Sequence, residues 1–126
     1  MTPEQKLKWK IIERTFRWTN DEKCLTITKD NVDEIYDQTD EDYIQDAKCE
    51  IRGGSITTNL PSPYSRHYEC NEVADIMPDG TWVGWTYWYG GGKHGEPEAI
   101  DWMSDAYNLD CVEEEKLVIV RTFTKK

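Results

Sequence analysis

The segment Trp82–Tyr89 constrains the fold of this chain more than any other stretch of sequence. It reads WVGWTYWY and follows Pro78-Asp79-Gly80, a combination that favours a tight turn. Successive side chains of a strand point to opposite faces, so this segment would place aromatic rings on both of its sides. The sequence therefore predicts a central strand that is covered on both faces, with Gly84 allowing a neighbouring group to approach closely.

A glycine-rich loop, GGGKHG at residues 90–95, follows the strand and leads into a helix signal. Glu96 and Glu98 suit the positive end of a helix dipole, and the apolar spacing beyond them predicts a short helix over residues 96–107. A strand, a glycine-rich loop and a helix start together resemble a phosphate cradle. However, the G-x-x-x-x-G-K-[ST] spacing is missing, and the two glutamates would repel an anion.

The same loop still supports one functional hypothesis, a small-molecule or nucleotide site. Lys93 and His94 would supply polar contacts, and Trp88 near the end of the strand would supply a ring. The competing interpretation is a connector that lets bulky neighbours pack without any ligand. We keep the ligand site as the alternative to a protein-binding function.

The rest of the chain predicts a single α+β domain over residues 1–126, with an antiparallel sheet and short helices. Hydrophobic spacing predicts one helix near the start and one interrupted helix, or two short ones, over residues 31–46. Segment 53–65 contains Gly and Pro and predicts a long loop. Alternation and turn signals predict strands over residues 12–18, 24–28, 49–52, 66–77 and 111–124. The similar order on either side of the loop suggests two ββαβ-like halves.

The net charge of −10 limits the class of partner. Binding to nucleic acid depends on lysine and arginine neutralising phosphates, so we do not expect this chain to bind nucleic acid directly. An anionic membrane is disfavoured for the same reason. A cationic surface on another protein is favoured, because long-range attraction speeds association, although solubility alone also explains an acidic composition.

Much of this charge lies between residues 30 and 50, where Lys48 is the only cation. One helical face of this segment holds Val32, Ile35, Tyr36, Thr39 and Tyr43. The opposite face is acidic, and like charges one turn apart cost about 0.2–0.5 kcal/mol each. A solvated face without a function would usually interleave lysines. The candidate partner-binding carboxylates are Asp30, Asp33, Glu34, Asp37, Asp40, Glu41 and Asp42.

No catalytic or metal-binding pattern is recognisable in the sequence. His67 and Cys70 are three residues apart on a predicted strand, so they point to opposite faces and do not form a local nucleophile–base pair. The acidic segment lacks the central glycine of a calcium loop, and the four cysteines include no C-x-x-C pair. We therefore predict a protein that is not an enzyme and uses no cofactor or metal.

Cysteine usage and the start of the chain bear on the compartment. The sequence MTPEQKLKWK lacks an apolar leader. These features predict a cytoplasmic protein with free thiols. Two disulfides in an exported protein are the alternative.

The second half of the chain, Arg66–Phe123, carries a resemblance to a known group of proteins. Its segment WTYWYGGGKHGEPEAIDWM resembles small acidic proteins that tailed bacteriophages and prophages encode. The resemblance covers about half of the chain and implies a setting, the host cytoplasm, but no activity that can be carried over. Small acidic phage proteins are often inhibitors of host enzymes or defence systems, so the resemblance favours binding.

These observations together favour a phage-type inhibitor that binds a basic, nucleic-acid-binding surface of a host protein, in the manner of a DNA mimic. The acidic segment would steer the encounter. Trp85, Tyr87 and Tyr89 would serve as anchors, because Trp and Tyr dominate interface hot spots. A structural or assembly module is a third hypothesis.

Overall fold

The computed structural model describes residues 1–19, 26–65, 68–90, 97, 100–114 and 120–126. These residues form the predicted α+β fold, in which helices pack on one face of an antiparallel sheet. The elements in chain order are α1 (Pro3–Thr19), α2 (Val32–Gln38), α3 (Glu41–Ile51), β1 (Ile56–Thr57), β2 (Glu69–Ile76), β3 (Trp82–Tyr89) and β4 (Tyr107–Leu109).

The predicted aromatic strand is β3, and its bounds are those predicted. It lies inside the sheet, whose order is β1-β2-β3-β4 with antiparallel neighbours throughout. The N–H of Met77 donates to the carbonyl of Thr81 at 2.7 Å, which closes the predicted turn between β2 and β3. This turn fixes a register in which Val73 lies opposite Trp85. The strand predicted over 66–77 is confirmed as β2 for residues 69–76.

The core lies between the helices and one face of the sheet. Val73, Val83 and Trp85 face the helices and pack in the same cluster as Leu7 and Ile11 of α1. All five side chains are almost fully buried. The opposite face of the sheet carries the alternate residues of each strand, including Trp82, Thr86 and Trp88 of β3.

Helix α1 begins with a capping box. The hydroxyl of Thr2 accepts from the N–H of Gln5 at 3.1 Å, and the Gln5 side chain accepts from the N–H of Thr2 at 2.9 Å. The strand predicted over residues 12–18 is wrong, because these residues continue the helix. Helical spacing buries Leu7 and Ile11 against the sheet, and this burial outweighs the local alternation of the later residues.

The two short helices predicted over residues 31–46 are confirmed as α2 and α3. The residue before α3, Asp40, accepts from the backbone N–H of Asp42 at 2.9 Å and so caps the helix. α3 continues to Ile51, so the strand predicted over 49–52 is wrong. The helix buries Ile44 and Ile51, together with Ala47, on its inner side.

Other predicted elements also differ from the structure. Of the predicted helix over 96–107, the described residues 100–106 form bends, a turn and irregular backbone, and Tyr107 begins β4. Of the strands predicted over 24–28 and 111–124, the described residues are not in strands. The first half of the chain therefore supplies helices and one short strand, and the proposed pair of ββαβ-like halves is wrong. The predicted loop over 53–65 contains β1, which pairs with β2.

Gly84 in β3 lies against the ring of Tyr107, its partner residue on the neighbouring strand β4. A Cβ at this position would be 2.7 Å from Cε2 of Tyr107 and 2.7 Å from Cδ1 of Leu109. The prediction of a close approach at Gly84 is confirmed.

We expect Gly84→Ala to lower the free energy of unfolding by about 1–3 kcal/mol, because added volume at a tightly packed site forces neighbours to shift. Urea denaturation measures this effect. Gly53→Ala is the matched control, since a Cβ at Gly53 meets nothing within 4 Å. Equal changes in both variants would contradict the packing explanation.

Candidate functional site

The acidic residues of the segment 30–50 are all exposed in the structure. They lie on α2, on α3 and next to the ends of these helices, while the buried residues of both helices face inward. Within this group, Asp33 and Glu50 differ from the others because they form ion pairs. We call the remaining residues the acidic surface, namely Asp30, Glu34, Asp37, Asp40, Glu41, Asp42 and Asp46.

Asp33 points toward α1. Its carboxylate accepts from Nζ of Lys8 at 2.8 Å and from the side-chain amide of Gln5 at 3.2 Å. These two hydrogen bonds, the one from Lys8 first, hold the pKa of Asp33 below its ordinary value. Asp33 therefore helps to attach α2 to α1, and its charge is already neutralised within the chain.

Helix α1 supplies the cation of every ion pair formed among the described residues. These pairs are Lys6–Asp79 at 3.8 Å, Lys8–Asp33 at 2.8 Å, Lys10–Asp75 at 3.2 Å and Arg14–Glu50 at 3.4 Å. Four cations of α1 are thus directed at neighbouring elements. Within the described part of the chain, no ion pair reaches the acidic surface.

Tyr43 lies within the acidic surface and is 43% exposed. The helical spacing had predicted it on the inner face, but α3 buries Ile44 and Ala47 instead, which rotates Tyr43 outward. It neighbours Asp42 in sequence and lies about one turn from Asp46. An exposed ring on the same helix as these acidic residues is the feature of this site that the sequence pattern missed.

The predicted aromatic anchors are placed differently. Trp85 is 0% exposed, donates from Nε1 to the carbonyl of Arg52 at 2.7 Å and packs against Trp102 at 5.3 Å between centroids. It is a core residue and the prediction of an anchor there is wrong. Tyr87 and Tyr89 are half-buried and stack on each other at 5.5 Å. The Arg52 guanidinium lies 4.8 Å from the ring of Tyr87, so that face is covered within the chain.

The alternative ligand site is described only in part. Trp88 is half-buried, and its ring meets Tyr68 edge to face at 6.4 Å. Lys93 and His94, like the rest of the loop after Gly90, lie outside the described residues. The small-molecule or nucleotide hypothesis therefore stays a prediction.

A buried polar cluster lies on the sheet face opposite the helices. Glu72 is 6% exposed and accepts hydrogen bonds from the Thr86 hydroxyl at 2.7 Å and from the Tyr107 hydroxyl at 2.6 Å. A carboxylate inside a predicted strand could have indicated such a cluster, but Tyr107 belonged to a predicted helix. The cluster joins β2, β3 and β4, and we assign it a structural role.

Burial, and then the hydrogen bond to Glu72, raise the pKa of the Tyr107 hydroxyl above its ordinary value. The unfolded chain therefore ionises this group first, and the contribution to stability is present below about pH 10 and lost as pH rises through the folded pKa. We expect the free energy of unfolding to fall more steeply above that pH in wild type than in Tyr107→Phe. Urea denaturation across alkaline pH tests this, with Tyr64→Phe as a control at an exposed ring. Parallel pH profiles for all three proteins would contradict it.

The described residues contain no group of three or more His, Cys, Asp or Glu arranged to hold a metal ion. None of their helices is long and apolar enough to cross a membrane.

Comparison with protein-family models, with curated proteins and with solved structures found no match to this chain. The resemblance to phage proteins therefore stays a prediction. The acidic surface is the most distinctive feature of the described residues that bears on function.

Proposed function

We propose that this protein is a non-enzymatic binding protein, a phage-type inhibitor that covers a basic, nucleic-acid-binding surface of a host protein. The acidic surface on α2 and α3 is the contact region. One observation carries the proposal: these carboxylates are exposed, and none of them forms an ion pair within the described part of the chain.

The distribution of charge supports a partner that is cationic. Asp42 and Asp46 lie one helical turn apart and repel each other, which costs about 0.2–0.5 kcal/mol. Lysines on the exposed face would remove such a cost, but the cations of α1 pair with other acids of the fold. A partner with exposed lysine and arginine would relieve the repulsion on binding.

The spacing of the carboxylates supports resemblance to a nucleic-acid backbone. Side chains one helical turn apart are separated by about 5.4 Å along the axis, and phosphates of one DNA strand recur about every 3.4 Å. The two spacings are of the same order. A groove built to neutralise phosphates would therefore meet carboxylates at comparable intervals.

Tyr43 supports a specific contact with the partner protein, in addition to the long-range attraction that the acidic surface provides. Charges at the rim of an interface change association rates more than affinity, so tight binding needs a buried anchor. Tyrosine is among the residues that most often provide one. We assign this role to Tyr43 in place of Trp85, because Tyr43 is the exposed ring on α3.

Capture from a bacterial host lysate over a series of salt concentrations tests the proposed function. We expect proteins with basic nucleic-acid-binding sites to be retained at low salt and released as salt screens the charges. We also expect added duplex DNA to release the captured host protein, because DNA and the immobilised protein would occupy the same site on it. Salt-independent capture, capture that DNA leaves unchanged, or no capture at all would contradict the proposal.

A further inference from the structure

The sheet face opposite the helices carries an apolar groove with a volume of about 390 Å³. β1 and the chain beyond it form one wall, and the residues that follow β4 form the other. Ala74 provides part of the floor. The apolar lining consists of Ile56, Leu60, Ala74, Trp82, Leu109 and Val112. A groove of this volume is within the range that accommodates a ligand or large side chains.

The chain also exposes large apolar side chains in residues 120–126. Val120 is 82% exposed and Phe123 is 87% exposed, and neither lies in a helix or strand. We call residues 120–126 the 120–126 segment. Val112, which lines the groove, is 84% exposed as well. Val120 and Phe123 together expose apolar surface that an interaction would cover.

The groove and the 120–126 segment complement each other in charge. Asp110 lines the groove, and Glu113 and Glu114 are exposed beside it. The segment, with the sequence VRTFTKK, holds two apolar residues among polar and basic ones, and it contributes three cations in a strongly acidic chain. The segment could therefore place apolar side chains in the groove and basic side chains against its acidic wall.

We propose that two copies of this protein associate by exchanging these segments, so that Phe123 of each copy fills the groove of the other. Both complementary features belong to one chain, and each is exposed in the single copy. A surface that complements itself closes into a symmetric dimer. The interface uses the sheet face opposite the helices, so the acidic surface on α2 and α3 stays accessible, and the inference does not depend on the proposed function.

Sedimentation equilibrium over a wide range of protein concentration tests this inference. We expect a monomer–dimer equilibrium in wild type and at least about a hundredfold weaker association in Phe123→Asp and in Leu60→Asp. Both positions are exposed outside regular structure, so the variants should fold, which circular dichroism verifies. Tyr64→Asp adds the same charge at an 89% exposed site outside the groove and should leave association unchanged.

Mixing the two variants distinguishes exchange from other contacts. Phe123→Asp retains an intact groove, and Leu60→Asp retains an intact segment, so a mixture should form a heterodimer with one groove filled. A wild type that is monomeric at all concentrations would overturn the inference, since the segment would then stay free or fold onto its own groove. Association that is equal in wild type and Phe123→Asp, or a mixture that forms no heterodimer, would overturn it too.

Discussion

Neutralising part of the acidic surface is expected to weaken partner binding by at least about a hundredfold at physiological salt. Close charge pairs across an interface contribute about 1.5 kcal/mol or more each, and rim pairs contribute less, while a tenfold change in affinity corresponds to about 1.4 kcal/mol. The variant combines Glu34→Gln, Asp37→Asn, Glu41→Gln and Asp42→Asn. Asp40 and Asp33 are left intact, because they cap α3 and pair with Lys8, respectively. Titration calorimetry with the captured partner measures the change.

A control variant removes the same charge elsewhere, at the exposed residues Glu69, Asp105, Glu113 and Glu114. We expect it to bind almost as tightly as wild type. The surface variant should have nearly the stability of wild type in urea, since the removal of repulsion within α2 and α3 offsets the loss of acids at the positive ends of these helices. Equal loss of binding in both variants would show that net charge, and not the acidic surface, drives association.

Trp85→Ala is expected to lower the free energy of unfolding by about 3–5 kcal/mol. The total free energy of unfolding of a typical domain is about 5–15 kcal/mol, so this loss is a large part of it. The substitution empties the centre of the core, removes the contact with Trp102 and leaves the Arg52 carbonyl without its indole donor. Urea denaturation measures the loss. Trp18→Ala, at a ring that is 41% exposed, is the matched control and should have a much smaller effect.

A conservative variant separates stability from binding at the same position. Trp85→Phe keeps a large ring in the core, and we expect it to bind the partner as tightly as wild type wherever it is folded. Tyr43→Ala should do the opposite, with weaker binding and nearly unchanged stability. A folded Trp85→Phe protein with impaired binding would restore the earlier assignment of Trp85 as an anchor.

The hairpin of β2 and β3 was more predictable than the full extent of helix α1, for a physical reason. β2 and β3 are joined by the short turn at Pro78–Gly80, so their pairing depends on local signals that the sequence displays. In residues 12–18, by contrast, helical and alternating patterns coexist locally. The helix is favoured over a strand there because α1 packs against a sheet that lies many residues later in the chain. Local pattern does not contain that information.

The candidate site was also predictable only in part, because some of its features depend on tertiary contacts. Acidic side chains at close helical spacing were expected to be exposed, and on α2 and α3 they are. The pairing of Asp33 with Lys8 was not predictable, because it joins residues 25 positions apart whose contact depends on tertiary structure. Tyr43 was misplaced because a shift of one position along a helix rotates a side chain by about 100°.

The position of α1 in the chain has a consequence for the order of folding. Lys6 donates to the side chain of Asn108 at 3.0 Å, a contact between residues 102 positions apart. Contacts of such long range slow folding, because a large loop must close before they form. During synthesis, α1 leaves the ribosome well before β3 and β4 exist. The apolar face of α1 therefore stays without its packing partner until the sheet has been made.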